Sequence, residues 1–221
     1  MANSQTSDPH AAQPVASAGP APEDAAATLI LLHGRGATAD SMLDLYEALA
    51  MPQVAALAPQ ASGHTWYPQS FLAPLEMNQP YLGSALLRIQ SLVTELEQRG
   101  IQAERVALLG FSQGACLTCE FVARNPRRYG AVMALTGGLI GPPGTPRDYP
   151  GSLGGSSVFL GTSDPDPHVP FQRVTETGDT FKGMGATIEL RRYAGMPHTI
   201  NEDELSACRA LLQSMLQKAP K

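Results

Sequence analysis

Short apolar runs alternating with amphipathic stripes constrain this chain more than any other feature. Residues 27–32, 54–58, 105–109, 131–135, 157–160 and 187–191 each read as a buried strand. Stripes at helical spacing fill 40–50, 82–99, 113–124 and 171–182, and a last one runs from 202 to 217. The clearest carries Leu82, Leu86, Ile89, Val93 and Leu96 at alternating steps of four and three, and it stops at Gly100. In the last stripe Leu205, Cys208, Leu212 and Met215 share a face, and Asn201 with Glu204 has the form of a capping box. Such alternation predicts an α/β fold, a mainly parallel sheet covered on both faces by right-handed crossovers. Ligands of these sheets bind beyond the carboxyl ends of the strands. The informative residues therefore follow the apolar runs: His33 to Gly36, Ser112, Thr136 to Gly138, the Asp-Pro segment after Leu160, and His198.

Length and composition narrow the possibilities. The 221 residues suit one α/β domain, expected over 27–221. The first 26 residues are rich in Ala, Pro, Ser and Gln and are expected to form a disordered tail. That stretch has neither a basic start nor a continuous apolar segment, so it reads as neither a secretory signal nor a membrane span. A net charge of −5 and interrupted basic groups at 124–128 and 191–192 give no footprint for nucleic acid. Three cysteines, an odd number, lie on helical patterns and argue for a reducing, cytoplasmic setting without a disulfide framework. Cys116 and Cys119 form C-x-x-C, but no second pair or histidine lies at zinc-site spacing. They read as two small apolar residues on a buried helix.

Gly110-Phe111-Ser112-Gln113-Gly114 follows a strand and opens a helix. In that context G-x-S-x-G holds a serine at the tip of a strained turn, and its two glycines remove β-carbons that would collide as strand and helix close. N–H groups at the helix start point to the same place, where they stabilise an oxyanion. A serine hydroxyl needs a base to attack at neutral pH. Of the histidines, His10 lies in the tail, His33 closes a strand, His64 is in a long irregular excursion over 60–80, and His168 stands two residues after Asp166. His198, between the last strand and the last helix, fits the chain order Ser, acid, His that such sheets use. The acid has two candidates, Asp164 and Asp166, each directly before a proline, and local chemistry does not separate them.

From Thr28 to Leu216 the chain resembles the carboxylesterase, phospholipase and acyl-protein thioesterase family of small α/β hydrolases. The resemblance rests on Leu32-His33-Gly34-Arg35-Gly36, Ala58-Pro59-Gln60, Trp66-Tyr67, Gly110 to Gly114, Asp166-Pro167-His168-Val169-Pro170 and Gly195-Met196-Pro197-His198. It implies an α/β-hydrolase fold without a large cap domain and a triad of Ser112, Asp166 and His198. Asp166 rather than Asp164 matches the family's D-P-x-V-P pattern. The resemblance further implies an oxyanion hole from the backbone N–H groups of Gln113 and Arg35, and substrate contacts from Trp66, Leu72 and Leu139. His33 is expected to be a buried structural residue. The implied function is hydrolysis of short- to medium-chain acyl or aryl esters, with acyl-protein thioester or lysophospholipid cleavage as the alternative and a non-catalytic ligand-binding protein as the rival outside enzymes. No metal or organic cofactor is required, the partner is a small-molecule ester, and relatives that are often dimers make a homodimer part of the expectation.

Overall fold

The computed structural model describes residues 8–218. Seven strands form one sheet: β1 (Val15–Ala18), β2 (Ala27–Leu32), β3 (Val54–Pro59), β4 (Val106–Phe111), β5 (Ala131–Leu135), β6 (Ser157–Asp164) and β7 (Thr187–Ala194). Their order is β1-β3-β2-β4-β5-β6-β7. Every pairing is parallel except β1 with β3, which is antiparallel with Val15 opposite Pro59. The helices are α1 (Ala39–Leu49), α2 (Tyr81–Gln98), α3 (Gln113–Arg124), α4 (Phe171–Gly183) and α5 (Glu202–Lys218).

Strand alternation distributes the core over both faces of the sheet. On β2, Ile30 and Leu32 join one cluster with residues of α2, α3 and α4, while Leu29 and Leu31 join another with residues of α1 and α5. Central strands buried on both sides are almost wholly apolar, as β5 is and as β2 is apart from Thr28, because each side chain meets a helix layer whichever way it points. The edge strand β7 instead alternates half-buried and exposed residues. Helix α3 is buried from Gln113 to Ala123. Its Cys116 and Cys119 are core thiols, and loss of hydration pushes the Cys116 thiol up to about 12. The capping box on α5 is formed: Glu204 N–H donates to Asn201 Oδ1 at 2.9 Å, and Asn201 N–H to Glu204 Oε2 at 3.0 Å.

The expected disordered tail needs correction from Asp8 onward; Met1 to Ser7 lie outside the described residues. Residues 15–18 add β1 to the open edge of β3, which supplies backbone partners that the apolar content of the segment would not have earned. Further upstream His10 is fully buried against Trp66 and Tyr81. Its Nε2 lies 3.0 Å from the Trp66 carbonyl oxygen and its Nδ1 accepts from Ser62 N–H at 3.0 Å. Average composition hides such anchoring, because one satisfied imidazole and four paired residues suffice to order a short segment.

Candidate active site

The register of the parallel strands brings the ends of β2, β4, β6 and β7 to one edge of the sheet. Ser112 follows β4 directly and adopts φ 53°, ψ −117°, a conformation that non-glycine residues reach only under strain. Two hydrogen bonds hold that turn. Ser112 N–H donates to Leu135 O at 2.9 Å, and Cys116 N–H donates to Ser112 O at 3.0 Å. A β-carbon on Gly110 would collide with the Gly114 carbonyl, and one on Gly114 with the carbonyls of Leu32 and His33. The two glycines of the motif thus let α3 start against both its own strand and the end of β2.

Ser112 Oγ lies 2.8 Å from His198 Nε2, and His198 Nδ1 lies 2.7 Å from Asp166 Oδ2. The three side chains form one unbroken line across 86 residues of chain on one side and 32 on the other. Asp166 is fully buried at its side chain. Burial acts to raise its pKa, but hydrogen bonds from Ser163, His198, Val169 and His168 outweigh it and hold the carboxyl at about 2. Ser163 Oγ donates to Oδ2 at 2.6 Å, and the His168 and Val169 N–H groups each donate to Oδ1 at 2.8 Å. A carboxylate accepting from His198 Nδ1–H leaves Nε2 free to accept from the serine hydroxyl. Asp164, the other candidate acid, is turned away into an ion pair with Arg192. Its carbonyl accepts from Gly195 N–H at 2.9 Å, which ties the acid loop to the loop that carries His198.

The turn after β2 closes the other side. Gly34 is so near that a β-carbon there would sit 3.5 Å from Ser112 Cβ. Among the described residues neither Arg35 N–H nor Gln113 N–H is paired with a protein group, so both donors remain available beside Ser112. His33 is fully buried. Its Nδ1 lies 2.8 Å from Gly34 O and its Nε2 accepts from Ala61 N–H at 3.0 Å, and burial lowers its affinity for a proton. It is a neutral structural residue.

A cavity of about 750 Å³ opens onto the serine and histidine. Its walls include Tyr67, Phe71 and Leu72 from the excursion, Phe111 beside the serine, and His168 and Val169 after the acid. Leu72 therefore lines this cavity. Trp66 and Leu139 do not. Trp66 is fully buried, donates Nε1–H to His33 O at 2.9 Å and packs at a tilt against the rings of His10 and His33. Leu139 is fully buried, with its N–H on Thr177 Oγ1 at 2.9 Å. Both belong to the core, because an apolar side chain in an irregular segment gains as much from the interior as from a pocket wall. Sequence reasoning missed Phe71, Phe111, His168 and Ser163. Phe111 was detectable in principle, since the residue before a nucleophile at a strand tip must border its pocket. The ring of His198 packs 5.2 Å from Phe111 and edge-on to His168 at 5.0 Å.

Residues 15–216 match the phospholipase/carboxylesterase family. The chain belongs to that family. The crystal structure of a phospholipase/carboxylesterase from Dyadobacter fermentans is 41% identical, with a TM-score of 0.88, over 91% of this chain and 97% of that one. Acyl-protein thioesterase 1 of Debaryomyces hansenii is 26% identical over 132 residues, 59% of this chain and 57% of that protein. Its counterpart from Kluyveromyces lactis is 28% identical over 141 residues, 61% and 60% respectively. The match thus spans under two thirds of the length of these thioesterases. The fold is the α/β-hydrolase fold, and among the described residues no helix is long and apolar enough to cross a membrane.

Proposed function

We propose that this protein is a serine carboxylesterase that cleaves short- to medium-chain acyl or aryl esters through an acyl-serine intermediate. The hydrogen-bonded line from Ser112 through His198 to Asp166 carries this reading. His198 Nε2 takes the proton of Ser112 as its oxygen attacks the ester carbonyl, and the N–H groups of Gln113 and Arg35 receive the developing oxyanion. Asp166, ionised down to about pH 2, stabilises the imidazolium formed and fixes its tautomer. His198 then protonates the departing alcohol, and the carbonyl re-forms as acyl-serine. Water attacks that ester with His198 again as base, and the carboxylic acid leaves as Ser112 recovers its proton. Aromatic and aliphatic walls from Tyr67, Phe71, Leu72 and Phe111 favour an apolar acyl or aryl group over a charged one.

Replacing Ser112 with Ala is expected to lower ester hydrolysis by about 10,000-fold or more while leaving thermal unfolding near that of the parent. A fluorophosphonate should add once to the parent, at Ser112, as read by mass spectrometry. Absence of the adduct would favour a non-catalytic binding protein. The likeness to acyl-protein thioesterases supports a second reading, cleavage of acyl thioesters or lysophospholipids by the same residues. Rates on a p-nitrophenyl ester chain-length series against release of a fatty acyl group from an S-acylated peptide separate the two. Three buried, unpaired cysteines support a reducing, cytoplasmic location, and sedimentation tests the proposed homodimer.

A further inference from the structure

Two side chains from distant segments, outside the serine, histidine and aspartate line, converge on a single backbone oxygen that Thr65 Oγ1 of the same excursion also meets at 3.1 Å. The Tyr67 carbonyl accepts from Arg35 Nη2 at 2.9 Å and from Gln113 Nε2 at 2.8 Å. These are the same two residues whose backbone N–H groups receive the oxyanion in the proposed mechanism. Arg35 lies after β2, Gln113 opens α3, and Tyr67 belongs to the excursion, so one oxygen joins three separate stretches of chain. The guanidinium also donates to Pro68 O at 2.9 Å and Gln69 O at 2.7 Å. Three successive carbonyls aimed at one point set their negative ends together. A planar cation with five fixed donors neutralises that arrangement, whereas an ammonium meets it as a single point charge and an apolar side chain not at all. The Gln113 amide is equally committed, since its Oε1 accepts from Trp66 N–H at 2.9 Å.

We propose that the Tyr67 carbonyl is a shared anchor that sets the separation of the two oxyanion donors, with the side chains of Arg35 and Gln113 as positioning groups. The proposal rests on the oxyanion reading above and deepens it. Arg35 sits between Gly34 and Gly36, and Gly36 has φ 78°, so the backbone carrying its N–H is short of steric restraint. An oxyanion hole works because its donors need no rearrangement as charge develops, and a shift of about 1 Å can cost about 100-fold in rate. Fastening both donors to one oxygen supplies that rigidity. The same carbonyls run on into the wall at Phe71 and Leu72, so the wall is held in register with the oxyanion site.

The test uses the full chain with Arg35→Met, Gln113→Leu and the double variant, all of which keep the backbone N–H groups. Each single change should lower kcat on a p-nitrophenyl ester by about 10-fold or more, with KM within about threefold. Affinity for a phenylboronic acid, which forms a tetrahedral adduct on Ser112, should fall in parallel, while affinity for a planar, unreactive amide analogue stays. The double variant should be little worse than the poorer single one, because both side chains act through one oxygen. Arg35→Lys should recover only part of the rate, and millimolar guanidinium should partly rescue Arg35→Met, which covers failure of Gln113→Leu to fold. Additive losses, losses confined to KM or to melting temperature, or unchanged boronate affinity would overturn the proposal. Hydrogen exchange over 67–72 reads the anchor without activity: faster exchange in the Arg35→Met variant supports it, and unchanged exchange overturns it. A parent that neither hydrolyses esters nor takes a fluorophosphonate would instead overturn the functional reading, and the exchange result would then decide the anchor alone.

Discussion

The excursion over 60–80 and the long segment over 137–156 are both irregular, carry several prolines and scatter apolar residues among them, the second with far more glycine, yet they do opposite work. The excursion supplies Tyr67, Phe71 and Leu72 to the cavity, whereas none of its lining comes from 137–156. The latter turns inward, with Leu139, Ile140 and Leu153 fully buried. Its backbone is satisfied by groups brought from helices: Ile140 N–H donates to Glu120 Oε2 at 3.0 Å, and Arg173 Nη1 donates to the carbonyls of Leu139 and Gly141 at 2.7 Å each. Glu120 and Arg173 are themselves almost completely buried; Arg124 and Glu176 pair with their charges, and the loop backbone satisfies their remaining hydrogen-bonding atoms. The two segments meet where Gly141 N–H donates to Phe71 O at 2.7 Å, and the inner one thereby supports the outer. Irregular backbone can serve as core or as pocket wall, and the difference lies in which buried side chains await its polar groups.

Cutting into the inner segment should have the largest effect. Leu139→Ala is expected to destabilise the protein by about 2–5 kcal/mol in denaturant titration, with kcat/KM of the remaining folded enzyme nearly unchanged. A large loss of kcat/KM without loss of stability would place Leu139 in the pocket after all. A smaller effect comes from behind the sheet edge, where Glu204 is fully buried, its Oε1 without a partner among the described residues and pressed against Gly161 of β6. Burial pushes its carboxyl up to about 7. Ionisation therefore costs the folded state and not the unfolded chain. Stability should fall as pH rises from about 4.5 to about 7 and stay lowered above that. Glu204→Gln keeps the capping geometry and should remove this slope, adding roughly 1–3 kcal/mol at pH 8 and nothing at pH 4. A slope that persists in the variant would assign it to other groups. Leu72→Ala should have the smallest effect and the reverse signature. About a 10-fold fall in kcat/KM on medium-chain esters is expected, shrinking on acetate esters, with unfolding barely moved. Equal loss across chain lengths would remove Leu72 from the acyl-binding wall.

Much of the fold was legible because strand and helix periods are local properties, and each apolar run of four to six residues became a strand of the parallel sheet. The serine turn was legible for a steric reason, as only glycine fits where α3 crosses β4 and β2. The order of serine, acid and histidine along the chain also followed from the sequence, and the structure brings Ser112 and His198 to 2.8 Å. Four matters were decided only by tertiary structure. From local chemistry the two aspartates were equivalent, until Arg192 drew off Asp164 and four donors gathered on Asp166. The strand β1 depended on the open edge of β3, a partner some 40 residues away. Trp66 and Leu139 differ from Leu72 only in what surrounds them. The convergence of Arg35 and Gln113 on Tyr67 has no sequence signal, because a hydrogen bond to a backbone carbonyl requires no particular residue type at the acceptor. Periodicity and glycine sterics act between near neighbours and are written in the chain, whereas burial, ion pairing and shared acceptors exist only once distant segments have met.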